Sequence, residues 1–402
     1  MAPEVTTDIT AATARASSAE TAATGDVTYL HIGAMKTGTS FIQNVLWGNR
    51  EQLRSDGVLF PGERAWGEQV EAARHVVALP NLKGDPVPPG PWHRLTRAIR
   101  DWTGTSVIVS MEFLSLAGPR QARRILSDLS GRDTHVVITA RDLARITPAQ
   151  WQESTQNRAT WTWPDYLASV MSHSEEPPGR RFWRQHDLLR IVRTWADVVP
   201  ASHLHLVTVP PPGAPRDLLW RRFCSVVGLE AERYDVASYA QNESIGVVSA
   251  ELMRAVNAYA EGRLDPMAYD RQLKWYVSKT LLPERTGEPR AGIPPEHQAF
   301  FVEHSRRLVA DLATIDMDVV GDLDDLLSRP VEADVTTADA VTDAEKLDAA
   351  VEMIVALAAH ADSLHLRLNR QRKLNAAAPN PVETQSVPAT EAEGRFAARE
   401  AR

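Results

Sequence analysis

A short apolar run that ends in Gly-x-x-x-x-Gly and passes straight into a helix leaves a chain few folds to choose from. Residues 27–32, Val-Thr-Tyr-Leu-His-Ile, are β-rich and apolar and predict a buried strand. Residues 41–54 carry Phe41, Val45, Leu46 and Leu53 at helical spacing. Between them run Gly33, Ala34, Met35, Lys36, Thr37, Gly38, Thr39 and Ser40. The two glycines permit tight turns and close backbone approach. A loop that enters a helix N-terminus offers unpaired N–H groups and the positive end of the helix dipole, so it favours an anion. The hydroxyls of Thr37, Thr39 and Ser40 add donors, and Lys36 adds a point charge.

Gly33 and Gly38 have the spacing of a Walker A loop, but Thr39 and Ser40 stand where that motif carries Lys and Ser/Thr. The lysine lies inside the loop, at Lys36. The run Lys36-Thr37-Gly38-Thr39-Ser40 resembles the 5′-phosphosulfate loop of sulfotransferases that use 3′-phosphoadenosine 5′-phosphosulfate (PAPS), bacterial members above all. The resemblance extends over about residues 27–327, with motif specificity falling along the chain. It implies PAPS as co-substrate, held by Lys36, Thr37, Gly38, Thr39 and Ser40, with Lys36 on the bridging and sulfuryl oxygens. It also implies a P-loop-NTPase-like sulfotransferase fold.

The residues themselves predict an α/β fold with a parallel central sheet flanked by helices. Further strands are expected at 105–110, 134–140 and 203–209, separated by helical segments such as 119–129, where Pro119 suits a first turn. Ligands of such sheets bind beyond the carboxyl ends of the strands. Lys36, Glu112 and Arg141 all follow strands.

Arg141 ends the strand at 134–140. The resemblance makes it the contact to the 3′-phosphate, and a guanidinium fork suits that group. In the family a Ser follows eight residues later; here that position is Ala149, so Thr147 or Gln150 would have to replace it. The plain alternative is an arginine paired with Asp142 or Glu153 on a solvated helix. Glu112 stands where several sulfotransferases carry a catalytic carboxylate. It is expected to take the acceptor's proton if burial raises its pKa. His75, on an amphipathic helix, is the rival base. Asn242-Glu-Ser-Ile-Gly246 resembles an Asn-x-Ser element near the nucleotide, and Ser244 serves equally as a helix N-cap. Lys274, Tyr276 and Lys279 lie in a later helical segment with no spacing that ties them to the site. Trp151, Trp161, Trp163, Trp183 and Trp195 cluster after Arg141; most are expected to pack, and some to line an acceptor pocket within residues 156–193.

The excess of 52 acidic over 44 basic residues argues against a general nucleic-acid binder. The single cysteine, Cys224, excludes an internal disulfide and falls among apolar residues at helical spacing, as a core residue does. Residues 1–26 read as a disordered leader without the basic and apolar regions of a signal peptide. The domain is expected over 27–327, a linker over 328–342, a helical extension over 343–374 and a disordered tail over 375–402. Leu347, Val351, Ile354, Ala358 and Ala361 make a heptad seam on that extension, which either packs on its own domain or joins two chains as a homodimer. No uninterrupted apolar run approaches a membrane span; 349–361 is broken by Glu352 and His360. The expected location is the cytoplasm.

Three functions remain open. The first is a PAPS-dependent sulfotransferase acting on a hydroxyl of a small-molecule, sugar or lipid (glycolipid) acceptor, with no metal required and no Cys/His spacing that suggests one. The second is a P-loop kinase or NTPase with a degenerate Walker A loop. The third is a non-catalytic binding protein that keeps the fold.

Overall fold

The computed structural model of the chain describes residues 26–62, 67–80, 90–239, 245–285, 287–329 and 335–377. Eight strands occur among them: β1 Val27–Gly33, β2 Val58–Leu59, β3 Ser106–Ser110, β4 Asp133–Ala140, β5 Leu204–Thr208, β6 Arg290–Ala291, β7 Asp318–Val320 and β8 Val335–Thr336. Six form one sheet in the order β2-β3-β1-β4-β5-β7, with every pairing parallel. β6 and β8 make a separate two-stranded ribbon. The expected parallel α/β sheet is therefore present, with β1 at its centre.

Strand alternation builds two cores from that sheet. Leu30, Ile32, Val107, Val109, Val136, Ile138, Leu204 and Leu206 pack on one face with Trp92 and Trp195. Ile108, Val137 and Val207 point to the other face and meet Ile42, Val45, Leu46, Trp220, Phe223 and Cys224. Cys224 is thus a core residue, and burial raises its thiol pKa. The order of strands places the loop after β1 between the ends of β3 and β4, which deliver Glu112 and Arg141.

Differences from the sequence expectation have local causes. The helix expected over 41–54 is two helices, Thr39–Gly48 and Arg50–Ser55, because Asn49 leaves helical geometry and donates its side-chain amide back to Val45 O at 2.9 Å. The closing segment 316–327 contains edge strand β7. Residues Asp270–Leu281 form a π-helix, in which Ser278 Oγ and Thr280 Oγ1 donate to the carbonyls five residues back, Leu273 O and Trp275 O.

By internal contacts the chain divides into Met1–Ala349 and Ala350–Arg402. The boundary falls inside one long helix, Asp343–Ala377, which covers the expected extension. Its seam residues Leu347, Val351 and Ile354 are 63%, 52% and 62% exposed. Among the described residues this helix is long and apolar enough to cross a membrane by length and composition, with an 18-residue window of mean hydropathy 1.3. The apolar run within it is interrupted by Glu352 and His360, as expected. The expected leader up to residue 25, the tail from 378 and residues 330–334 of the linker lie outside the described residues.

Candidate active site

The loop after β1 owes its shape to three left-handed residues. Gly33, Lys36 and Gly38 have φ of 80°, 61° and 83°. A lysine rarely adopts that conformation, so the surrounding loop has to hold it there. A Cβ on Gly33 would come within 2.7 Å of Glu112 Cβ, and one on Gly38 would strike Leu219. Gly33 is therefore what lets the carboxylate after β3 lie directly against the loop.

Thr37 is fully buried. Its hydroxyl donates to Ala34 O at 2.6 Å and meets Thr139 Oγ1 at 2.6 Å. The expectation that this hydroxyl faces the ligand is corrected: it staples the loop to β4. Beneath it His31, also fully buried, bonds Ser110 Oγ and Thr139 Oγ1 at 2.7 and 3.2 Å, and burial lowers its pKa to about 3. A neutral imidazole thus ties β1 to β3 and β4 under the loop. The helix Thr39–Gly48 begins at Gly38 without any side-chain cap. Its first amides, with Lys36, Thr39 and Ser40, border a cavity of about 2410 Å³ that also takes in Glu112 and Arg141. That volume exceeds the roughly 300–1,000 Å³ of an ordinary small-molecule pocket and has room for a nucleotide and a second substrate.

Arg141 is the strongest electrostatic signal. Its NH1 donates to Lys36 O at 3.4 Å, while its buried Nε has no partner among the described residues. Burial pushes its pKa down to about 10, and the charges of Arg145 and Arg290 add to that against Asp142. A buried guanidinium with an unpartnered donor beside a cavity suits an anion. Neither carboxylate suggested as its partner pairs with it. Asp142 caps the helix Leu143–Gln156 through Arg145 N at 3.0 Å and pairs with the Arg145 side chain. Glu153, three turns along, instead meets Lys36 Nζ at 2.9 Å and Lys279 Nζ at 3.1 Å. Burial alone would raise the Glu153 pKa; the two ammonium groups and the bonds from Lys36 and Asn157 outweigh it and hold the carboxyl well below its usual range.

Glu112 opens the 3₁₀ turn Glu112–Leu116 and accepts from Gln43 Nε2 at 2.9 Å. Burial raises its pKa, opposed by the Gln43 bond and the charge of Lys36. Gln43, which holds this carboxylate, lies on the helix that starts at the loop after β1. His75 does not line the cavity. Burial and the charges of Arg124 and His93 lower its pKa, so the rival base belongs to a different environment.

Ala149 and Gln150 line the cavity, and Gln150 Oε1 accepts from His186 Nε2 at 3.1 Å. Thr147 does not replace the missing Ser: its hydroxyl donates to Leu143 O at 2.8 Å, inside its own helix. Trp161, Arg181 and Gln185 line the cavity from the expected acceptor region, while Trp151, Trp163 and Trp195 are core residues. Lys274 and Lys279 reach the cavity from the π-helix. Residues 240–244, with Asn242 and Ser244, lie outside the described residues. The pairings at the cavity that sequence reasoning missed are Gln43 with Glu112 and Glu153 with Lys36 and Lys279. Gln43 carries a weak signal, one helical turn after Thr39. The Glu153 pair joins positions far apart in the chain and leaves none.

No family model matches the sequence, and no curated protein matches it. Among solved structures, a sulfotransferase from Alicyclobacillus acidocaldarius aligns with 60% of this chain and 98% of its own, at 14% identity and a TM-score of 0.36. A likeness that weak carries no functional argument.

Proposed function

We propose that this chain is a PAPS-dependent sulfotransferase that moves a sulfuryl group to a hydroxyl of a small-molecule, sugar or lipid acceptor. The observation that carries the reading is the pairing of two anion sites with one carboxylate around a single cavity. The uncapped helix start with Lys36 is one anion site, the orphaned Arg141 is the other, and Glu112 is the carboxylate. A donor with a 5′-phosphosulfate and a separate 3′-phosphate needs two such sites. In the transfer, Glu112 takes the acceptor's proton as the new O–S bond forms. The bond between sulfur and the bridging oxygen breaks, and its electrons pass to the 5′-phosphate. Lys36 stabilises that leaving oxygen.

The kinase alternative needs a carboxylate free to hold a magnesium ion near the loop. Asp142 is engaged by Arg145 and Glu153 by two lysines, which leaves Glu112 for that role, so the two readings separate on which nucleotide is bound. The test is transfer of labelled sulfate from PAPS to a panel of hydroxylated acceptors. Lys36→Ala is expected to lose about 10²–10³-fold in turnover, the scale for removing a donor to developing negative charge. Wild-type turnover in Lys36→Ala, or transfer from a magnesium nucleoside triphosphate instead, would overturn the reading.

A further inference from the structure

A second group of polar side chains gathers at the opposite, amino end of the sheet. Asp133 and His135 open β4, His203 closes the 3₁₀ turn Ala201–His203 that enters β5, His205 lies on β5, and Asp318 opens β7. Ligand atoms of Asp133, His135 and His203 all lie within 4.8 Å of one another. Asp133 Oδ2 is 3.5 Å from His135 Nε2, and Asp133 Oδ1 is 3.4 Å from His203 Nδ1. Both gaps exceed the roughly 2.7–2.9 Å of a charge-assisted hydrogen bond. Each Asp133 oxygen faces a different imidazole, so the carboxylate stands between the two rings.

The hydrogen bonds behind these atoms explain why they face each other without bonding. His205 Nδ1 lies 2.7 Å from Asp318 Oδ2, and a carboxylate only accepts, so that nitrogen carries the hydrogen. In the neutral ring His205 Nε2 then accepts, from His135 Nδ1 at 2.8 Å. With the His135 ring also neutral, its Nε2 faces the Asp133 carboxylate as a lone pair. Two acceptors face one another, and a cation between them resolves the conflict.

We propose that Asp133, His135 and His203 bind one divalent transition metal, with Zn²⁺ the ion that suits two imidazoles and a carboxylate, and solvent in the open position. His205 and Asp318 form the supporting relay that fixes the His135 tautomer and ring. The His203 ring stacks on His135 with centroids 4.2 Å apart and 19° between planes, so ligation requires it to turn about its side-chain bonds, which its partly exposed turn permits. The ion clips the start of β4 to the turn before β5. It lies away from the loop, Glu112 and Arg141, all of which follow carboxyl ends of strands, so its role is structural. The ligands are scattered along the chain and leave no spacing signature, which is why the sequence shows no metal motif.

The test is titration of the metal-stripped full-length chain with Co²⁺ and then Zn²⁺. One equivalent of Co²⁺ is expected to give visible absorption of a four-coordinate site, displaced by Zn²⁺. Asp133→Asn, at an exposed strand start, and His203→Gln are expected to weaken binding at least tenfold, and His205→Gln by about 10–100-fold. Far-UV circular dichroism establishes that the variants are folded. In ¹⁵N-labelled wild type, Zn²⁺ is expected to shift the His135 Nε2 and His203 Nδ1 resonances to coordinated values, a readout that needs no variant. Absence of stoichiometric binding, unshifted imidazole resonances, or unchanged affinity in both Asp133→Asn and His203→Gln overturns the proposal.

Discussion

Glu153 occupies a position that an incoming anion would contest. Its carboxylate bridges Lys36 and Lys279 at 2.9 and 3.1 Å, beside the loop proposed to take the phosphosulfate. Glu153→Gln removes the competing charge, so affinity for 3′-phosphoadenosine 5′-phosphate is expected to rise roughly tenfold, about 1.4 kcal/mol, by calorimetry. Unchanged or weaker binding would mean that the carboxylate positions the lysines rather than competing for them. The same pair sets a pH dependence. The folded pKa of Glu153 is depressed, so its stabilisation is complete above the unfolded value of about 4.3 and is lost as pH falls below it. Acid titration of melting temperature should therefore be shallower in Glu153→Gln than in wild type. Glu112 has the opposite sign. Burial raises its pKa, so the ionised base accumulates only above the ordinary glutamate range, and the acid limb of the rate profile should sit above about pH 4.3. Glu112→Gln is expected to lose about 10²–10⁴-fold in turnover with nucleotide affinity kept. Equal activity would assign the proton to another group.

At the scale of elements, the loop and the long helix make separate predictions. Gly33→Ala forces a left-handed alanine, at about 1–2 kcal/mol, and drives its Cβ to 2.7 Å from Glu112 Cβ. Both stability and turnover should fall, seen as a lower melting temperature and reduced transfer; a fully active Gly33→Ala would show that Glu112 does not depend on that close approach. The helix Asp343–Ala377 carries Asp343, Glu345, Asp348 and Glu352 near its start and Arg367, Arg370, Arg372 and Lys373 near its end. Two copies laid antiparallel would set acidic against basic ends along the exposed Leu347, Val351 and Ile354 seam. Sedimentation is expected to show a dimer that Val351→Glu with Ile354→Glu converts to monomer; a wild-type monomer at micromolar concentration would exclude it. Elements with a long, uninterrupted pattern were legible in the sequence. β1 and β4 read directly because buried β-branched runs end in Gly33 and Arg141. β2 and β7 did not, because two or three residues at a sheet edge carry no period. The π-helix was invisible for another reason: its widened turn depends on hydroxyls bonding five residues back, and not on apolar spacing.

For the molecule as a whole, the parallel order β2-β3-β1-β4-β5-β7 does what local sequence cannot. It brings Lys36, Glu112 and Arg141 from three separate strand ends to one cavity, and Asp133, His135 and His203 to the other end of the same sheet. The first group was legible because each member follows its own strand. The second was not, because nothing in sequence spacing announces which strands become neighbours. The same limit hid Lys36 with Glu153, and it left His75 as a rival base until its surroundings placed it with Arg124 and His93. The central claim is that Lys36 and Arg141 hold the two phosphate ends of one nucleotide. Calorimetric titration with 3′-phosphoadenosine 5′-phosphate, against its analogue lacking the 3′-phosphate and against ATP and GTP, measures that directly. Binding that requires the 3′-phosphate and is lost in Arg141→Ala is the predicted result. No binding, or a preference for a magnesium nucleoside triphosphate, would contradict it.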